Sequence, residues 1–265
     1  MGFYICTNNN IGLMDLSHYL YLYPAYMITI GLGVLYHKQF KTKISFKKNR
    51  EAKTIHFKRP WLEFVWAISA GIGTIFIGQL YIRNLLLPSF DKLHVLSDTL
   101  NQLIIFSPFF FLVIFRKQGM ETAWIPKKGK IKSILLGLLL GLIGVLLFIL
   151  LKGTENILPE IIEIYNPKNL PKLIQVFAED FAIAVCLYRL VGLIGPRWAT
   201  ITVALLFAAG HIPAMLTNGA SLNNFSSLGL DAILGIIVFR SLYFTKNFLW
   251  FWMIHYALDM TQYIP

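Results

Sequence analysis

Charge is scarce in this sequence. Only 14% of its 265 residues are Asp, Glu, Lys or Arg, where a soluble domain carries about a quarter. With 56% of the residues hydrophobic, that shortage excludes a water-soluble fold, which could not hide so much apolar side chain. Cysteine is scarcer still. Cys6, near the N-terminus, and Cys186, inside an apolar block, are the only two, so neither a disulfide framework nor thiol redox chemistry is expected. Acidic residues are outnumbered, 13 against 24 basic ones, leaving a net charge of +11. Such an excess could suit nucleic acid, but its placement argues otherwise. Nine basic residues from Lys38 to Arg59 crowd one connector between apolar blocks, and Arg116, Lys117, Lys127, Lys128, Lys130 and Lys132 crowd another. That is the positive-inside pattern of a membrane protein in contact with anionic lipid, and no nucleic acid is expected as a partner.

What the sequence has is apolar blocks of roughly 20 residues, the length that crosses about 30 Å of hydrocarbon. The expected spans are Tyr19–Tyr36, Trp61–Leu86, Leu100–Phe115, Ile134–Leu151, Leu173–Ile194, Trp198–Leu216, Phe225–Tyr243 and Phe248–Ile264. Pro88, Gly195-Pro196 and Asn218-Gly219 punctuate them, and the polar stretch from Gly153 to Pro171 reads as a loop. The fold class is therefore expected to be all-α, a polytopic transmembrane helical bundle of about eight spans in the cell membrane. Residues 1–17 lack a basic n-region and a small-residue cleavage site, so the first block reads as a retained span. No lipidation motif and no internal repeat is found. With both basic connectors cytoplasmic, both termini fall outside, and Arg197, Arg240 and Lys246 fall inside.

Ionisable groups inside spans are costly and mark function by default. Glu179, Asp180, Arg189, His211, Asp231, His255 and Asp259 all fall in the last four spans. Because short connectors make neighbouring spans antiparallel, the offsets of Glu179, His211, Asp231 and His255 from their span ends place them in one band of depth. One polar cavity accounts for that agreement better than scattered charges do. His255 and Asp259 are four residues apart and share a helix face, as do Phe207 and His211. Asp231 is either a further site residue or a carboxylate that caps a broken helix or faces a water-filled pocket, and Arg189 reads as a charge snorkelling from the end of span five.

Three stretches, Ala178-Glu179-Asp180, Phe207-Ala208-Ala209-Gly210-His211 and His255-Tyr256-Ala257-Leu258-Asp259, resemble the motifs of the CPBP intramembrane proteases, also called the Abi or CAAX-protease family. The resemblance covers about residues 171–262. It implies a four-helix catalytic core over 171–265, preceded by a four-span scaffold over 1–170 that carries the polybasic loop 38–59. It implies hydrolysis of a peptide bond in a membrane-associated peptide or protein. Glu179 would activate water, His211 and His255 would orient it and stabilise the oxyanion, and Asp180 and Asp259 would complete the site, Asp259 supporting His255. Glu179, His211 and His255 could instead bind zinc with one position open. The sequence departs from the family where the first motif expects two glutamates and an arginine. The second acid is Asp180, and Ala184 stands about where the arginine would be. Arg189 cannot replace it, since ten residues put it about 15 Å along the helix from Glu179. A non-proteolytic protein of the same fold, binding a partner or acting in bacteriocin self-immunity, is the alternative. A small transporter is a third class, without the internal symmetry it predicts.

Overall fold

The computed structural model describes residues 16–45, 57–88, 93–217 and 226–264. Cys6 and the connector residues Lys47, Lys48, Arg50 and Lys53 lie outside that set, as do Asn218, Gly219 and Phe225. The described residues form α1 (Leu16–Ser45), α2 (Pro60–Ile82), α3 (His94–Phe115), α4 (Lys130–Lys152), α5 (Ile157–Ile164), α6 (Leu170–Gly210), α7 (Ile212–Thr217), α8 (Ser226–Thr245) and α9 (Leu249–Asp259). Among them there is no strand, and six helices are long and apolar enough to cross a membrane. The first polybasic connector begins as helix, because α1 runs on through Lys38, Lys41 and Lys43 to Ser45.

Pro108 does not end α3. A helical proline leaves the carbonyl four residues earlier without its donor, and here the Ser107 hydroxyl donates to that carbonyl, Ile104 O, at 2.7 Å. The polar stretch expected as a loop after α4 holds the short helix α5, whose Ile164 carbonyl accepts from the Tyr256 hydroxyl at 2.6 Å.

The longest helix, α6, contains the fifth and sixth expected spans. At Gly195 the backbone leaves helical geometry with φ 75° and ψ 166°, a conformation glycine tolerates because it has no Cβ, and Pro196 starts the second limb. Glu179 lies sixteen residues before Gly195 and His211 sixteen after it, yet both line one cavity. Each limb would carry its residue about 24 Å from the break, so the limbs must run back alongside each other. Cys186 and Val203, also nearly equidistant from Gly195, line that cavity too.

The eighth expected span, Phe248–Ile264, is an 11-residue helix, α9, followed by a 3₁₀ turn over Met260–Tyr263. At about 17 Å it is shorter than the hydrocarbon layer. It is enclosed by protein, with every residue from Leu249 to Asp259 buried except Trp252, which is partly so. Hydropathy cannot separate such a core helix from a lipid-facing one. Its close partner is α4, where Gly137 and Gly141 let the helices approach. A Cβ on Gly137 would stand 2.3 Å from the Trp250 carbonyl oxygen, and one on Gly141 2.9 Å from that of Met253.

One end of the bundle gathers the second basic connector, the ends of α2 and α3, and the α8–α9 turn. There Phe248 N donates to Trp124 O at 3.3 Å, and the Asn247 amide donates to the Ser133 hydroxyl at 2.7 Å.

Candidate active site

The first limb of α6 positions most of the site. Gln175 and Glu179, one turn apart, share a face, and Gln175 Nε2 donates to Glu179 Oε1 at 2.8 Å. Both are buried, so the amide holds the carboxylate in one orientation. Asp180, next in sequence, points instead at α9. Its Oδ1 is 2.9 Å from His255 Nδ1, a hydrogen bond that fixes the imidazole ring. His255 Nε2 lies 3.7 Å from Asp259 Oδ1, and Asp259 Oδ2 lies 3.1 Å from Lys172 Nζ. Lys172, Asp259, His255 and Asp180 thus form a line of polar contacts between two helices. Only Lys172, with 14% of its side chain exposed, reaches the surface.

His211 closes the second limb. Its Nδ1 is 2.8 Å from the Phe207 carbonyl. A carbonyl can only accept, so Nδ1 carries the hydrogen and Nε2 is the acceptor of the neutral ring. Glu179 and His211 face a cavity of about 200 Å³ whose other walls come from α2, α3 and both limbs of α6.

Asp231, near the start of α8, is also at the site. It is buried, accepts from the Tyr19 hydroxyl at 3.1 Å and lies within electrostatic reach of His211. Tyr26 is buried within electrostatic reach of Glu179, Asp180 and Asp231. The N-terminal block expected only as scaffold therefore supplies two tyrosines. Neither had a signal in the sequence, where a tyrosine in a span reads as an interfacial anchor. Lys172 and Gln175 could have been found, because they precede Glu179 by seven and four residues on the same helix face.

Arg189 does not snorkel. It is fully buried, donates from Nη1 to Val185 O at 2.9 Å and from Nη2 to Gln118 Oε1, and lies 3.6 Å from Glu63 Oε2. Arg116 binds the same Glu63 at 2.6 Å and Gln118 Nε2 binds it at 2.8 Å. Sequence spacing could not show that Glu63, early in α2, stands opposite it. This cluster ties α2, α3 and α6 together and is separate from the cavity, whose walls include none of its members.

Among the described residues no three His, Cys, Asp or Glu side chains converge as metal ligands do. Glu179 and His211 face the cavity, whereas His255 is turned between Asp180 and Asp259. The three residues considered for zinc do not form a donor set in this arrangement.

The chain matches no protein-family model, no curated protein and no solved structure.

Proposed function

We propose that this chain is a multi-pass cell-membrane endopeptidase that hydrolyses a peptide bond of a membrane-associated peptide or protein, as the CPBP-like motifs imply. The observation that carries the proposal is the shared cavity of Glu179 and His211. A water there meets two acceptors, the Glu179 carboxylate and His211 Nε2, which together engage both of its hydrogens. Its lone pair is left for a substrate carbonyl. Glu179 takes one proton as the oxygen attacks, then returns it to the departing amine as the tetrahedral intermediate collapses. Gln175 fixes the carboxylate that performs both transfers.

The oxyanion needs donors. The motif resemblance gives that role to His211 and His255, and the contacts of His255 with Asp180 and Asp259 fix its ring between α6 and α9. Lys172 holds Asp259 from its other side.

The test is cleavage of a membrane-reconstituted peptide library by the wild type, Glu179→Gln and His211→Ala, each with and without chelator. The proposal expects cleavage by the wild type, at least a hundredfold loss in each variant with folding intact, and no chelator effect. Strong chelator inhibition would revive the metal reading. No cleavage by any folded form would support the binding or immunity role instead.

A further inference from the structure

The cavity extends away from Glu179 and His211 between Ile68 and Ile72 of α2, Phe106 and Phe109 of α3, and Ile183 and Val203 on the two limbs of α6. We propose that it is a side-chain subsite. It holds one large apolar side chain, of the leucine or phenylalanine class, on a membrane peptide whose backbone is bound by the Thr74 hydroxyl. This rests on the endopeptidase reading for the fate of the adjoining peptide bond, but the pocket itself rests on geometry.

Size and lining select the side chain. An apolar cavity of about 150 Å³ takes up a benzene ring. This one, at about 200 Å³, has room for one aromatic or branched aliphatic group and not for a whole acyl chain. Ile72 on α2 and Leu206 on the second limb of α6 both line the cavity, and both are exposed on the outside of the bundle, 64% and 44%. A membrane peptide would therefore enter laterally, between these two helices.

Thr74 says that the occupant carries hydrogen-bonding groups. Thr29, Thr99, Thr122, Thr200, Thr245 and Thr261, all buried, each donate to a carbonyl three or four residues earlier. Thr74 is as buried as they are and lines the cavity, yet its Oγ1 has no hydrogen-bond partner among the described residues. A buried hydroxyl left unbonded is costly. An acyl tail brings nothing to satisfy it, whereas a peptide brings a carbonyl and an N–H beside each side chain. The same backbone then adjoins Glu179 and His211 on the cavity wall.

Glu179→Gln protein in liposomes would be photolysed with a synthetic transmembrane peptide carrying one diazirine leucine, and the adducts mapped by mass spectrometry. Adducts are expected on the segments 68–75, 106–109, 182–186 and 203–207. An unlabelled peptide with Phe at that position should compete roughly tenfold better than one with Ala. Gly71→Val puts methyl groups into the cavity, where a Cβ would meet only the Phe109 ring at 3.9 Å, and should erase the Phe preference. Thr74→Val should weaken both competitors alike. Adducts elsewhere, or equal competition by Phe and Ala peptides, overturn the subsite. Adducts in the cavity with no cleavage by the wild type would leave the subsite standing and remove the endopeptidase reading.

Discussion

Asp180 and His255, 75 residues apart in sequence, meet through a 2.9 Å hydrogen bond that joins α6 to α9. The bond fixes the orientation of the His255 ring, and it turns the two acids of the first motif to different places. Glu179 faces the cavity, while Asp180 orients a histidine on another helix.

Asp180→Asn keeps the shape of that contact but removes its carboxyl group. Under the proposed mechanism kcat falls about a hundredfold while KM and thermal unfolding in detergent change little. Steady-state kinetics on a cleaved peptide checks this, and an unaltered kcat would show that His255 does not depend on Asp180.

Lys172→Met leaves the Asp259 carboxylate buried without its cation. Breaking a buried pair from one side costs about 3 kcal/mol, which should appear as a lower unfolding midpoint. Lys172→Met combined with Asp259→Asn removes both charges and should recover most of it. A double variant no better than the single one would refute the pairing.

Gly137→Ala places a Cβ 2.3 Å from the Trp250 carbonyl oxygen. Since that atom is helix backbone, α9 must move, at a cost of about 1–3 kcal/mol, and His255 moves with it. Gly31→Ala, with nothing within 4 Å of its Cβ, is the matched control and should be silent. Chemical unfolding of the two variants side by side measures the difference.

Arg189→Leu leaves Glu63 with Arg116 and Gln118 but empties the centre of the α2–α3–α6 junction. A loss of about 3 kcal/mol is expected. Arg189→Lys should rescue little, because an ammonium cannot reach Val185 O, Gln118 and Glu63 in the fork geometry of a guanidinium. Full rescue by lysine would mean that only charge matters there.

Composition and block length by themselves determined that the chain is an all-helical bundle with helices fit to cross a membrane, because the constraint is local. A run of apolar residues long enough to span, with no charge inside it, has few other folds open to it. Gly195-Pro196 likewise marked the reversal in α6, since the conformation there is one that glycine adopts readily. The offsets of Glu179 and His211 from their span ends were legible as matching depth. Other relationships depended on which helix faces which. That α9 is a short enclosed helix, that Arg189 finds Glu63 and Gln118, that Tyr19 of α1 bonds Asp231 and Tyr26 lies near the acids, and that Lys172 offsets Asp259 all depend on how segments distant in sequence come together. Hydropathy and spacing describe one helix at a time. The partner across an interface is chosen by packing, as where two glycines of α4 let α9 lie close enough to put His255 beside Asp180.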